Sequence, residues 1–326
     1  MSQTSPPYSI HDVDPARAEE LESMGSKSKF WFREGKTRWL FKYSRRLILP
    51  SADTLSTETN EVIYTGEHWA EKLAAEIADA LGIPHAVVEL AQDQKSRIPG
   101  AMIRDLNVTS PGALVHGNEL LFELNPSYPK AQQYHTREHT LDNIFSALSG
   151  SAIGLPTGFD VPAAIRTAVD LFVGYLLLDA LLGNTDRHHE NWALIRSLDG
   201  GLVLAPSYDH ASSLGRDLSG SQQQKHLTTR DVQTTVEAYA RRARSAIYRN
   251  SQDRRPMGTL AAFAEAAARR PEAAHAWRLR LQDVSGAVLE TIVTRVPDQF
   301  MSKSSRQFVV RFLEYTRRQI LDLDAG

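Results

Sequence analysis

The sequence predicts an α+β fold in two lobes, with a small β-rich N-lobe over residues 1–107 and a larger helical C-lobe over residues 108–326. The chain length of 326 residues suits about two domains. In the first part, aromatic runs are bounded by turn residues, which is typical of strands. In the second part, apolar residues recur at three- and four-residue steps, which is the helical period.

The N-lobe is expected to contain four strands and one helix. The strands are predicted at residues 30–32, 39–41, 86–90 and 99–103. Between the first two, Glu34-Gly35-Lys36 predicts a hairpin turn. Residues 44–62, which contain Pro50 and many Ser and Thr residues, predict a flexible loop. Apolar spacing predicts a helix over residues 67–81, and Gly82 predicts its end.

The C-lobe is expected to form around one buried helix. Asp160 is the predicted N-cap of this helix, with Pro162 in its first turn. The helix continues to Leu182 and is apolar on nearly every side, which predicts burial all round. Short strands and further helices are predicted after it, the strands at 192–195 and 202–204 and the helices at 230–248, 258–269, 275–294 and 305–323.

The composition is that of an ordinary globular protein, with 42% hydrophobic and 23% charged residues. The absence of cysteine excludes disulfides, thiolate zinc sites and a cysteine nucleophile. The formal net charge of −2 gives no sign of a binder of nucleic acid or anionic membranes. No secretory signal or membrane-spanning stretch is evident, so a cytoplasmic protein is predicted. Delivery as a secreted effector by a machine that needs no such signal stays open.

The strongest chemical signal is the segment GNTDRHHEN from Gly183 to Asn191, which directly follows the buried helix. Asp186 and Asn191 have the spacing of the Asp and Asn in a protein-kinase catalytic loop. Phosphoryl transfer requires a carboxylate that orients the attacking hydroxyl and accepts its proton. It also requires oxygen ligands for Mg²⁺ close by. Asp186 suits the first task and Asn191 the second.

Asp209 is the candidate for a second metal ligand, because it follows the next short strand in the segment Pro206-Ser207-Tyr208-Asp209-His210. An isolated D-x-x-x-x-N pattern carries little information, since Asp and Asn are common in loops. Here the pattern stands in a fixed order of buried helix, loop, strand, turn, strand and Asp. That order favours a phosphoryl-transfer site over a chance match.

The segment GNTDRHHENW followed by APSYDHASSLG resembles the HipA-like kinase family, which are toxin-type Ser/Thr kinases of bilobal protein-kinase-like fold. The resemblance covers about residues 20–320 and implies an ATP-dependent kinase with Asp186 as catalytic Asp and Asn191 and Asp209 as Mg²⁺ ligands. It also implies a protein substrate. Members that act with a helix-turn-helix antitoxin carry an extra N-terminal subdomain, for which this chain has little room, so an antitoxin or small regulatory partner stays open.

In the N-lobe the resemblance implies a nucleotide site. The phosphate loop would be the segment before the first strand, with contacts from Gly25, Ser26, Lys27 and Ser28. Lys42 ends a predicted strand and has the context of the kinase lysine that pairs with the ATP phosphates. Its alternative is a solvated strand end. Glu71 on the following helix is expected to pair with Lys42, with Glu67 and Glu76 as competitors.

Ser26 and Ser28 are also candidates for autophosphorylation, because HipA-like kinases resemble one another in modifying a serine of this loop. A phosphoserine carries about −1.5 to −2 charges at neutral pH and would compete with ATP phosphates for the same donors. The alternative is that both serines only cap or solvate a turn.

Three other signals have alternative interpretations. His135-Thr136-Arg137-Glu138-His139 matches the H-x-x-E-H pattern of some zinc proteases, but its polar surroundings favour an exposed helix start. The run His188-His189-Glu190 is interpreted as scaffolding of the catalytic loop. Arg241-Arg242-Ala243-Arg244 predicts a solvated helix face, with docking of an acidic substrate or RNA as the lesser alternative.

Two rival functions share the same fold. One is a lipid kinase or an enzyme that transfers AMP, although no convincing membrane-facing segment is present. The other is a catalytically silent nucleotide-binding regulator. The presence of Lys42, Asp186, Asn191 and Asp209 argues against the silent form.

Overall fold

The computed structural model describes residues 5–21, 28–49, 61–106, 112–150, 153–197 and 200–323. Its N-terminal part consists of β1 (Ile10–Val13), β2 (Glu20–Leu21), β3 (Lys29–Glu34), β4 (Thr37–Tyr43), β5 (Arg46–Leu49), β6 (Glu61–Tyr64), α1 (Glu67–Leu81), β7 (Val88–Asp93) and β8 (Pro99–Arg104). The remainder consists of β9 (Gly112–His116), α2 (Gly117–Leu124), α3 (Leu141–Leu148), β10 (Ile153–Gly154), α4 (Ala168–Leu182), β11 (Ala193–Ser197), β12 (Leu202–Leu204), α5 (Gly220–Thr228), α6 (Val236–Arg241), α7 (Thr259–Arg269), α8 (Pro271–Asp283), α9 (Gly286–Thr294) and α10 (Lys303–Leu321).

The N-terminal part is a six-stranded sheet in the order β1-β7-β8-β4-β3-β2, against which α1 packs. The hairpin of β3 and β4 turns at Gly35, which has φ of 59°. The predicted helix over residues 67–81 is confirmed as α1, and it ends at Gly82 in the left-handed conformation, φ 70°. A glycine adopts this conformation without the Cβ clash that other residues meet, so Gly82 ends the helix.

The predicted loop over residues 44–62 is wrong in part. Arg46–Leu49 and Glu61–Tyr64 are β5 and β6, which pair antiparallel, while residues 50–60 lie outside the described part. The short apolar runs of these strands were obscured by the Ser- and Thr-rich stretch between them. Their pairing depends on two segments that are well separated along the chain, which no local pattern reports.

The C-terminal part is mostly helical, and its centre is α4. All fifteen residues of α4 are buried, which confirms the predicted spine. Its N-cap is Thr167 and not the predicted Asp160. The Thr167 Oγ1 accepts the Asp170 N–H while the Asp170 carboxylate accepts the Thr167 N–H. This capping box places the N-cap seven residues after the predicted one at Asp160.

A second sheet lies within the helical part, in the order β10-β12-β11-β9. β11 and β12 confirm the strands predicted near the catalytic motif, and β11 also pairs antiparallel with β9. The sequence interpretation had treated everything after residue 107 as helical up to this motif, and so it missed β9. The C-terminal end of the GNTDRHHEN segment leads into β11, and β12 leads into the Asp209 segment, so the pairing of β11 with β12 brings the two segments together.

Two of the other predicted helices differ from the structure. The helix predicted over residues 230–248 is confined to α6, after which residues 242–258 form an irregular loop. The helix predicted over residues 275–294 is split into α8 and α9, because Ser285 accepts the Val288 N–H and caps a new helix. In the described ranges, no helix is both long and apolar enough to cross a membrane.

Both parts share one apolar core. Leu73 and Ile77 of α1 belong to the same buried cluster as Leu177 of α4 and Trp277 of α8. Helix α1 therefore packs on the sheet at one side and on the C-terminal helices at the other, and it fixes the distance between the two sets of candidate site residues.

Candidate active site

The catalytic motif is anchored by a fully buried arginine. Arg187 has no exposed side-chain surface, and its Nε and Nη2 each lie 2.8 Å from the Asp179 carboxylate on α4. Its Nη1 donates to the Asn191 carbonyl (2.7 Å), and Nη2 also donates to Ser207 Oγ (3.0 Å). Burial would lower the pKa of Arg187, but the Asp179 carboxylate outweighs this and the pKa is raised. One guanidinium thus joins α4, the catalytic motif and the Asp209 segment.

Asp186 and Asn191 are held together by the backbone of the same loop. Asn191 Nδ2 donates to the Asp186 carbonyl (2.6 Å), which turns the amide oxygen the other way. The Asp186 carboxylate accepts from Ser212 Oγ (3.3 Å), and His188 Nε2 lies 3.8 Å from its other oxygen. Asp186 is partly exposed and lines a cavity of about 160 Å³.

The two lobes meet at Lys42 and Asp209. The Lys42 Nζ lies 3.1 Å from Asp209 Oδ1, and the lysine side chain is only 15% exposed. Burial would lower the pKa of Lys42, yet the carboxylates of Asp209, Glu71 and Asp186 together raise it. Lys42 is therefore a largely buried, protonated cation and not a solvated strand end, which was the alternative interpretation.

Asp209 has φ of 57°, in the left-handed region that non-glycine residues seldom adopt. Such strain persists only where the surroundings hold the residue in place, and it is concentrated at functional sites. The carboxylate of Asp209 contacts Lys42, and the backbone N–H of the next residue, His210, donates to Glu71 Oε1 (2.9 Å).

Glu71 was expected to pair with Lys42, but its hydrogen-bond donor in the structure is the backbone N–H of His210. The ion pair of Lys42 is with Asp209, whereas Glu71 accepts from the backbone of His210. The reason is burial, because a carboxylate that is 2% exposed must be met by donors at close range, and the sharp turn at Asp209 brings this N–H to it. Of its competitors, Glu67 pairs with Arg216 and Glu76 with Lys72, so neither of them is the carboxylate next to Lys42 in the described residues.

A chain of contacts links Glu71 to the catalytic motif. His210 Nε2 is hydrogen-bonded to Ser207 Oγ at 2.7 Å, and this hydroxyl also accepts from Arg187. Burial lowers the pKa of His210 well below its usual value, so its ring is neutral near pH 7. The chain from Asp179 through Arg187, Ser207 and His210 to Glu71 runs from α4 to α1.

Of the four residues predicted for the phosphate loop, Ser28 belongs to the described part of the chain. Gly25, Ser26 and Lys27 lie outside the described residues. Ser28 is exposed, and its carbonyl accepts the Tyr43 N–H (3.2 Å). Because Lys29 is paired with Lys42 in the β3–β4 register, Ser28 lies at the same end of the hairpin as Lys42.

The H-x-x-E-H segment is neither a zinc site nor an exposed helix start. His139 is buried, its Nε2 accepts from Trp192 Nε1 (3.1 Å), and its Nδ1 lies 3.0 Å from the Ala246 carbonyl. Both ring nitrogens are engaged, and burial lowers the pKa of His139 to about 3. The following helix α3 begins only at Leu141. His139 therefore contributes to the core behind the catalytic motif, because it accepts a hydrogen bond from Trp192, the residue that directly follows this motif.

The sequence interpretation missed the structural role of Arg187. The signal was available in Asp179, a carboxylate inside an otherwise apolar helix, because a buried charge requires a partner. The nearest cation along the chain is Arg187 in the loop that follows. Ser212 and Ser207 gave no such signal, since serine is common in loops.

A small sheet with one packed helix, joined to a larger helical part with catalytic-type carboxylates at the junction, defines a protein-kinase-like fold. The solved structure of the proinflammatory kinase CtkA from Helicobacter pylori is similar to this chain with a TM-score of 0.64, at 16% sequence identity, over 96% of each chain. HipA of Shewanella oneidensis MR-1, solved with HipB and its operator DNA, gives a TM-score of 0.49 at 11% identity, over 94% of this chain and 68% of that one.

The model of the HipA-like C-terminal domain matches residues 21–288, so the chain belongs to this family. The match covers β3 to β8 of the N-terminal part and the catalytic motif, which confirms the family resemblance. Among curated proteins, none matches this chain.

Proposed function

We propose that this chain is an ATP-dependent protein kinase that transfers the γ-phosphoryl group to a Ser or Thr hydroxyl. The observation that supports it most is the setting of Lys42, whose Nζ lies 3.1 Å from Asp209 Oδ1. This largely buried cation has a pKa that Asp209, Glu71 and Asp186 raise against the effect of burial. These three carboxylates come from both lobes and from three separate segments. A lysine in this setting suits the phosphates of a nucleotide, and family membership supports the same activity.

The donor set at the junction fits Mg²⁺. Asn191 Nδ2 is used by the Asp186 carbonyl, and within the described ranges no donor reaches Asn191 Oδ1. That oxygen and the Asp209 carboxylate would hold the ion. The described residues contain no group of three or more His, Asp or Glu side chains suited to a metal, so phosphate oxygens would complete the shell. When bound, Mg²⁺ supplies neutralisation of the charge on the phosphates.

Asp186 would orient the acceptor hydroxyl and accept its proton. The Glu190 N–H donates to His188 Nδ1 (3.2 Å), while His188 Nε2 lies 3.4 Å from Gln133 Nε2 and 3.8 Å from Asp186 Oδ1. Burial lowers the pKa of His188, which keeps this ring neutral. The Ser212 hydroxyl therefore donates to the Asp186 carboxylate, and the neutral His188 ring lies close by without neutralising it. Lys42 would bind the phosphates, and Glu71 would fix the turn that presents Asp209.

The finer parts of the proposal concern regulation and partners. Autophosphorylation at Ser26 or Ser28 is proposed because Ser28 lies at the Lys42 end of the hairpin, where a phosphoserine would compete with ATP for this cation. Intact-mass measurement after incubation with Mg²⁺ and ATP would detect it, and absence of added phosphate on this segment would contradict it. An antitoxin or small regulatory partner is an expectation that family membership supports. A cytoplasmic location stays a prediction from the sequence.

Transfer itself can be tested with labelled ATP and a host lysate. We expect label from γ-labelled ATP on protein, and we expect Asp186→Ala to lower transfer by about 10²- to 10⁴-fold with ATP binding largely kept. Label from α-labelled ATP would instead indicate AMP transfer, and label in the lipid fraction would indicate a lipid kinase. ATP binding without any transfer would favour the silent regulator.

A further inference from the structure

The positive charge of this chain is concentrated next to the proposed catalytic cleft. Residues 241–255 contain six arginines and a single acidic residue, Asp253, although the whole chain has a net charge of −2. We call residues 241–256 the arginine loop. The sequence predicted a solvated helix face for its first part, but helix α6 ends at Arg241. The remainder is irregular and needs its own explanation.

The base of the arginine loop is rigid. The Ser245 N–H donates to the Met257 carbonyl and the Met257 N–H to the Ile247 carbonyl, both at 2.9 Å. Ser245, Ile247, Tyr248 and Met257 are buried. The Tyr248 N–H donates to the carbonyl of His139 (2.9 Å), behind the catalytic motif. A tip with few apolar residues is thus carried on an anchored base.

The arginine loop forms one wall of the cavity that contains Asp186. Ser245, Ala246, Tyr248 and Pro256 line this cavity, and Asp186 is its only carboxylate. Arg242 lines a neighbouring cavity of about 240 Å³, which shares Thr185 with the first. Arg244 and Arg255 directly adjoin the lining residues Ser245 and Pro256 in sequence, so an acceptor bound over Asp186 would contact the segment that carries these arginines.

Several of these arginines have no acidic partner. Among the residues that the structure describes, the exposed side chains of Arg241, Arg254 and Arg255 form no ion pair. Arginines of the adjacent helices differ, since Arg269, Arg270 and Arg311 are each paired with a carboxylate. Within the loop, Arg249 is paired with Glu265. Excess positive charge is therefore found at the two ends of the loop, at Arg241 and at Arg254 and Arg255.

We propose that the arginine loop docks an acidic segment of the protein acceptor, next to the Ser or Thr that is phosphorylated. This inference rests on the proposed kinase function and names its substrate class. Clustered charge beside a site attracts partners of opposite sign and speeds their association. RNA fits less well, because single-stranded recognition uses exposed aromatic faces for base stacking, and the aromatic residue of the loop, Tyr248, is buried.

Binding of fluorescent serine peptides tests this proposal without the need for transfer. One peptide carries glutamates on both sides of the serine, and its match carries glutamines. The test variant is Arg241→Gln/Arg254→Gln/Arg255→Gln. The control is Arg166→Gln/Arg196→Gln/Arg318→Gln, which removes the same charge from three exposed arginines outside the arginine loop.

We expect the glutamate peptide to bind more tightly than the glutamine peptide. The loop variant should lose roughly tenfold in affinity at low salt, the control variant should lose little, and both should bind ATP as the wild type does. Equal affinity for the two peptides, or equal losses in the two variants, would overturn the proposal. Tighter, loop-dependent binding of an RNA oligonucleotide would also overturn it.

The two proposals fail in different ways. If γ-labelled ATP labels both peptides equally well, the kinase function stands and the docking proposal fails. If the wild type binds glutamate peptides through the loop but transfers no label to any protein or peptide, the kinase function fails and the acidic-segment surface stands.

Discussion

Lys42 is the residue at which the charges of both lobes meet. Its Nζ contacts Asp209 from the C-terminal part, and the carboxylate of Glu71 on α1 also acts on it. A cation this buried would be costly without such partners. Lys42 also lies at the same end of the hairpin as Ser28, so under the proposed function this side chain would bind the nucleotide phosphates.

Replacement of Lys42 by alanine should lower both nucleotide affinity and turnover. A cation directed at the phosphates acts in the ground state and in the transition state, so both quantities depend on it. Titration calorimetry with ATP and Mg²⁺, together with steady-state kinetics, would measure this. Lys36, in the turn between β3 and β4, is a matched control, and Lys36→Ala should behave as the wild type.

The buried Arg187–Asp179 pair is a second residue-scale determinant. Asp179→Asn should lower the free energy of unfolding by about 3–5 kcal/mol. The substitution replaces the carboxylate by a neutral amide, so the buried Arg187 charge is no longer compensated. The exposed Arg280–Asp160 pair is the control, and Arg280→Gln should cost about 1 kcal/mol or less. Urea unfolding gives both free energies. Equal values for the two variants would contradict the role of Arg187 as an anchor.

At the scale of elements, α4 determines where the catalytic motif lies. The helix is buried on every side, begins at the Thr167 capping box and ends at Gly183 in the left-handed conformation. A Cβ at Gly183 would lie 2.5 Å from the Phe312 ring, so glycine is required by packing as well as by φ. The motif therefore starts from a fixed point on the core.

The start of α4 distinguishes the sequence prediction from the structure. Thr167→Ala should cost about 0.5–2 kcal/mol in the free energy of unfolding, because it removes the acceptor of the Asp170 N–H. Asp160→Ala, at the N-cap expected from sequence, should cost less than this. Thermal or urea unfolding of the two variants would measure the difference, and the reverse order would contradict the capping box.

At the scale of the whole molecule, the two lobes are coupled through polar contacts and through the core. The contacts from Asp179 to Glu71 pass through Arg187, Ser207 and His210, and α1 packs against both the sheet and the C-terminal helices. Buried neutral histidines are part of this arrangement. They make the stability of the molecule depend on pH.

Acid should destabilise the protein through His139. Its pKa is lowered by burial from 6.5 to about 3, so between these values the unfolded chain binds more protons than the folded one. Its contribution is full above pH 6.5 and is lost as pH falls through this range, by about 2 kcal/mol at pH 5. Urea unfolding at pH 5 and 7 should give a smaller difference for His139→Gln than for the wild type.

ATP should bind more weakly without Mg²⁺ than with it, because the triphosphate would then meet the Asp209 carboxylate unshielded. Calorimetry in each condition gives the two affinities. Asp209→Asn should reduce the difference between them. Equal affinities for the wild type would remove Asp209 from the proposed metal site.

Local patterns predicted much of this protein. The period of the apolar residues gave α1 and the burial of α4, since both follow from which faces of a helix are apolar. The order of elements around Asp186 and Asp209 predicted the candidate site, because each of these residues stands in a loop next to a helix or strand that the local sequence predicts. The family was also evident from these segments.

Contacts between distant segments were decided only by the tertiary structure. The pairing of β9 with β11, the choice of Asp209 as the partner of Lys42, and the position of the arginine loop beside Asp186 all join residues far apart in sequence. Helices and turns depend on interactions between residues a few positions apart, so the local sequence predicts them. An ion pair or a cavity wall depends on which surfaces the completed core brings together.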